Sequence, residues 1–260
     1  MLPVAKLHRH MSWKTDMADP ALVIIVMISF GLAGLVKGVV GLGLPTVSLG
    51  ILSLFVDLPT AMVLLIMPSL CTNIWQALAG GGFRHLVWRL WPFLLAAIVM
   101  VHVGGALFIQ IDVAFLERCL GVLLLLYAMS GLVGRVPHIA PNSERLIGVA
   151  CGAINGLLTG LTGILFMPGV MFLQALNFRR DKLVQAMGML FAASTASLGV
   201  ALFRNGLILP GLGALSGLAL LPALTGMYSG QILRRHVSED LFRRLFLIVL
   251  GGLGLYISLG

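Results

Sequence analysis

The chain runs for long distances without a formal charge. Residues 21–36, 38–56, 58–83, 90–111, 119–134, 146–178, 183–203, 205–233 and 245–260 contain no Asp, Glu, Lys or Arg. About 18 consecutive apolar residues are enough to carry a helix across the hydrocarbon layer of a bilayer. Most of these runs reach that length, and some are long enough for two crossings. Only 10% of the 260 residues are charged and 59% are hydrophobic, against about 25% charged in a soluble domain. No water-facing surface can be made from what remains. The expected class is an all-α integral membrane protein with about 8–10 transmembrane segments, and soluble folds are excluded.

Ten apolar segments fall at about 21–40, 43–56, 59–80, 88–110, 113–134, 145–163, 164–178, 182–203, 207–232 and 241–259. The second and seventh are short enough to be half-helices or re-entrant pieces. The ten divide into two fives. We expect an N-terminal tail over 1–20, a first repeat over 21–134, a polar linker over 135–144 and a second repeat over 145–260. Gly34-Leu-Val-Lys-Gly38 parallels Gly152-Ala-Ile-Asn-Gly156, and Gly105 and Arg118 are spaced like Gly230 and Arg243. Five segments per half would invert the second half relative to the first.

Loop charges agree with inversion. If the loop at Arg84 and Arg89 is cytoplasmic, ten crossings put eleven Lys and Arg inside. Only Arg118 and Arg204 lie outside, beside Asp57, Asp112 and Glu117. That is a positive-inside pattern. The tail, with Lys6, Arg9 and Lys14, is the exception. The net charge of +8 thus orients the chain and does not point to nucleic acid.

Each half contains a Gly/Pro break: Gly38-Val-Val-Gly41-Leu-Gly43-Leu-Pro45, and Gly160-Leu-Thr-Gly163 leading to Pro168. Matched breaks in two halves mark the substrate region of inverted-repeat transporters. Bare helix N-termini there suit an anion. For any single glycine, close helix packing competes with this role. Lys37 is the one cation deep in an apolar run. It is either functional or reaches out to the interface, and its counterpart is Asn155. Asn73, Gln76, Thr159, Thr162, Gln185, Ser194, Thr195 and Ser197 could line a cavity or bond helix to helix.

All nine carboxylates lie in the tail, loops or span ends, which argues against a cation substrate. Cys71, Cys119 and Cys151 lack metal spacing and are expected to be small core residues. His102 is expected to bond to a backbone carbonyl, and the tail His8 and His10 are weak metal candidates. No nucleophile–base pair, HExxH, P-loop or paired catalytic carboxylates occur. Neither an enzyme, a metal site nor a cofactor is expected.

The stretch from Gly31 to Pro45 and its echo from Gly152 to Pro168 resemble the sulfite exporter TauE/SafE family of bacterial membrane proteins. Family members typically carry a denser glycine cluster than Gly41-Leu-Gly43. The resemblance implies a multi-pass inner-membrane exporter of small sulfur-containing anions, such as sulfite or organosulfonates. The expected partners are a small anionic substrate and the lipid bilayer. The expected substrate site comprises Lys37, Gly41, Gly43, Pro45, Asn73, Gln76, Asn155, Thr159, Thr162, Gly163, Pro168 and Ser194. Passive anion channels, membrane assembly proteins and metal permeases are the alternatives. Gly213-xxx-Gly217 and Gly226-xxx-Gly230 are expected to pack helices within one chain.

Overall fold

The computed structural model describes residues 20–134, 139–165, 167–236 and 238–259. The tail, with His8 and His10, lies outside them. Eleven α-helices fill these residues: α1 (Pro20–Val40), α2 (Leu44–Leu52), α3 (Leu58–Leu78), α4 (Phe83–Phe108) and α5 (Val113–Val133), then α6 (Glu144–Thr162), α7 (Gly169–Ala175), α8 (Arg180–Arg204), α9 (Pro210–Leu218), α10 (Leu220–Leu233) and α11 (Glu239–Leu259). No strand occurs among the described residues. Eight stretches are long and apolar enough to cross a membrane, with α9 and α10 together making one. The segment expected as one piece over 207–232 is thus two helices meeting at Ala219. The short second and seventh segments contain only nine and seven helical residues.

Packing follows one exchange rule. The first helix of each half lies along the long fourth segment of the other, so α1 pairs with α10 and α6 with α4. The third helices, α3 and α8, pair with each other, as do the fifth, α5 and α11. Glycines make the first two pairings possible. A Cβ on Gly34 would lie 2.2 Å from the Ala223 carbonyl oxygen, and one on Gly38 equally close to that of Met227. Gly152 and Gly156 meet the Phe93 and Ala97 carbonyls at 2.3 and 2.1 Å in the same sense. Gly226 and Gly230 return the contact on α1, as expected for packing within one chain. Gly213 and Gly217 meet no backbone within 4 Å, so that pair makes no close helix contact among the described residues.

These contacts fix directions. Gly152 with Phe93 and Gly160 with Val101 make α6 parallel to α4. Ala77 with Gln185 and Ser69 with Thr195 make α3 antiparallel to α8. Gly121 with Ser258 and Gly131 with Leu247 make α5 antiparallel to α11. Helices at matching positions in the two sets of five therefore run in opposite senses, which is compatible with an inverted repeat. One end of the molecule gathers the starts of α4, α6, α8 and α11, with Arg84, Arg89, Arg145, Arg179, Arg180, Lys182, Arg243 and Arg244. The other end gathers the starts of α3 and α5. Three carboxylates among the described residues cap helices there: Asp57 accepts from Thr60 N–H, Asp112 from Ala114 N–H and Glu117 from Leu58 N–H.

Other details follow from a solvent that offers no hydrogen bonds. Pro68 inside α3 lacks an N–H, leaving the Leu64 carbonyl without its usual helical donor. The Ser216 hydroxyl of α9 donates to it at 2.8 Å and accepts from Met67 N–H. At the basic end Trp88 and Trp91 are exposed, and the Arg145 guanidinium lies over the Trp91 ring. Aromatic and basic residues gather at this depth in membrane proteins. The three cysteines, expected in the core, are only partly buried. The faces they occupy serve lipid contact and packing alike.

Gly156→Ala places a methyl against the Ala97 carbonyl and should destabilise the protein by about 1–3 kcal/mol or more. Gly217→Ala has open space around its new methyl and should be neutral or slightly stabilising. Melting of the detergent-solubilised variants, followed by tryptophan fluorescence, checks both. Equal losses would refute the backbone-contact account of α4 and α6.

Candidate functional site

The two breaks form at equivalent places. After α1, Gly41 and Gly43 both take positive φ, at 86° and 112°, and Pro45 sits in the first turn of α2. After α6, Gly163 takes φ 74°, and Pro168 precedes α7. Side chains carry a steric penalty in this left-handed region and glycine does not. Each break leans on the third helix of the other half. A Cβ on Gly41 would touch Val184 of α8, and one on Gly163 would touch Met62 of α3.

Lys37 does not reach out to water. It is 4% exposed, and its Nζ donates to Thr72 Oγ1 at 3.1 Å and to Asn73 Oδ1. Asn73 Nδ2 in turn donates to Ser69 Oγ at 3.0 Å, and Ser69 Oγ shares a hydrogen bond with Thr195 Oγ1 at 3.2 Å. A continuous polar seam therefore runs from α1 through α3 to α8. It joins the two halves deep in the bundle, where an unpaired polar group costs several kcal/mol.

The other candidates divide into fasteners and open groups. Gln76 donates to the Val184 carbonyl, and Gln185 donates to the Ala77 carbonyl while accepting from Gly82 N–H. These two clamp α3 to α8. Thr159 donates to the carbonyls of Asn155 and Ile164, and Thr162 accepts from Ile164 N–H. Both threonines thus shape the turn after α6. Asn155 Oδ1 accepts from Gly169 N–H. That bond fixes the amide so that Nδ2 is left without a protein partner, and Ser194 Oγ is in the same condition. Both residues are fully buried.

A cleft of about 230 Å³ lies between the halves. Arg180 and Arg243, near the starts of α8 and α11, stand at the basic end, with Gly134 closing α5 beside them. Further in, Val40, Leu42, Val170, Met187 and Phe246 form apolar walls, and Met167 lies at its deep side. Sequence reasoning listed none of these as site residues. Arg180 and Arg243 looked like ordinary loop charges, and the aliphatic wall had no signal of its own. Gly41, Gly43 and Pro168 adjoin lining residues in sequence, but neither they nor Gly163 line the cleft. No group of three metal-ligating side chains occurs among the described residues.

Glycine breaks after α1 and α6, with a cleft lined by α5, α7, α8 and α11, are compatible with a membrane transporter of small solutes. The sequence matches the sulfite exporter TauE/SafE family over residues 26–257. The chain belongs to that family, whose members are membrane transporters of sulfur-containing anions. No curated protein and no solved structure matches the chain.

Asn73→Leu would strip the Lys37 amine of an acceptor in a dry site. It should cost about 1–3 kcal/mol, more than Lys37→Met does. The double variant should be less destabilised than the sum of the two. Chemical or thermal melts of the three proteins test this, and strict additivity would show that the seam is not coupled.

Proposed function

We propose that the protein is a secondary transporter that exports small sulfur-containing anions, such as sulfite or organosulfonates, across a bacterial inner membrane. The observation that carries this is the cleft with Arg180 and Arg243 at its basic end. Positive-inside orientation puts that end in the cytoplasm, so the cleft opens toward the anions to be removed. The Arg243 guanidinium is a planar, always-charged donor suited to oxyanions. Among the described lining residues there is no carboxylate to repel an anion.

Alternating access follows from the exchanged packing. The halves, residues 21–134 and 145–260, act as inverted repeats that rock about the α3–α8 contact. Gly41–Pro45 and Gly163–Pro168 supply the yielding turns. Lys37 and Asn73 hold the substrate region electropositive and polar without offering a cation a counter-charge. Substrate affinity is set by Arg180 and Arg243 at entry and by deeper polar groups after it.

Radiolabelled sulfite uptake into proteoliposomes, with unlabelled sulfite, taurine and sulfoacetate as competitors, tests the assignment. Uptake should saturate and be blocked by at least one competitor. Arg243→Gln should raise the half-saturating concentration about tenfold or more, as the loss of a hydrogen bond to a charged group does. Lys37→Ala should abolish flux without unfolding the protein. Linear, non-saturating flux would make the protein a channel. Absence of flux under both a pH gradient and a membrane potential would remove the sulfur-anion assignment.

A further inference from the structure

We infer that Asn155 Nδ2 and Ser194 Oγ together form an oxyanion-binding subsite at the deep end of the transport path. Both atoms are buried and have no protein partner. In a native interior such groups are rare, and each needs a reason. Other buried hydroxyls without a partner, on Ser29, Thr46 and Thr60, lie on α1, α2 and α3. Asn155 and Ser194 lie on α6 and α8, which both pack against α7.

Two observations place the pair. Gly169 packs so closely that a Cβ there would lie 2.7 Å from Asn155 Oδ1 and 2.8 Å from Leu190 Cδ2. Asn155 and Leu190 are therefore neighbours, and Ser194 is one helical turn beyond Leu190 on the same face of α8. Second, Arg180, Val184 and Met187 line the cleft along one face of α8. At helical spacing that face continues past the cleft, through the buried Leu190 or Phe191, to Ser194.

The chemistry selects the ligand. An amide NH2 only donates, and a serine hydroxyl can donate. Two convergent donors call for an acceptor, and a substrate oxygen carrying negative charge supplies it. The subsite presupposes the transporter reading above and names the place where the anion sits after leaving the arginines. It also assigns a division of labour. Lys37 and Thr72 satisfy each other, whereas Asn155 and Ser194 are kept for the substrate.

The test is Ser194→Ala in the full-length protein, assayed for sulfite transport in proteoliposomes and for melting in detergent. The hydroxyl has no protein partner, so its removal should leave the melting temperature unchanged. KM for sulfite should rise about tenfold, and Ser194→Thr should restore it. A KM within twofold of wild type overturns the subsite while leaving the transporter assignment standing. A lowered melting temperature in Ser194→Ala also overturns it, because the hydroxyl then serves the fold. If wild-type protein transports neither sulfite nor an organosulfonate, the assignment fails and the subsite falls with it.

Discussion

Direct contact between backbones, made at glycine, is the constraint on which the rest depends. In lipid there is no hydrophobic force to drive helix onto helix, so association rests on van der Waals contact and interhelical hydrogen bonds. Gly34, Gly38, Gly226 and Gly230 let α1 and α10 approach until carbonyls meet Cα atoms. Gly152, Gly156 and Gly160 do the same for α6 and α4. Each half thereby lends its first helix to the other. Neither half can keep its own packing if separated. The polar seam and the cleft exist because these two close pairs fix where α3 and α8 cross.

The deep polar residues can be understood against that frame. A seam from Lys37 to Thr195 would be expensive if any member lost its partner, and each bond lies between different helices or successive turns. Its role in stability is specificity: a slipped register of α3 against α8 would orphan several groups at once. The glutamine clamps at Gln76 and Gln185 do the same nearer the basic end. Ser216 shows the reverse economy, where a proline in α3 creates an orphan and a hydroxyl from a neighbouring helix removes it.

Much of this was legible in the sequence because the bilayer allows few solutions. Charge-free runs gave the crossings, and the positions of Gly and Pro gave the two breaks. The division of 207–232 into α9 and α10 was missed, although Pro222, in the first turn of α10 just after the bend at Ala219, is a sequence signal for such a break. The Gly34 and Gly152 motifs were read as marks of the repeat, and their contacts show why both halves need them. The candidate site was less legible. Sequence flags polar residues, but it cannot show which are spent on neighbours. Thr159, Thr162 and Gln76 are spent on backbone carbonyls, whereas Asn155 and Ser194 are not. Arg180 and Arg243 were counted as topology signals, because nothing in a linear chain shows that two loop cations share one cleft.

The two halves are alike in shape and unlike in chemistry. Helix α1 ends three residues after Lys37, whereas α6 continues seven residues past Asn155. One break therefore sits a turn closer to its polar residue than the other. A carrier built from two identical halves would rest equally well facing either way. On the alternating-access proposal, an amine on one side and an amide on the other would make the two resting orientations unequal in energy. Such a bias would set different apparent affinities and rates on the two faces of the membrane, while the gradients alone would set the direction of net flux.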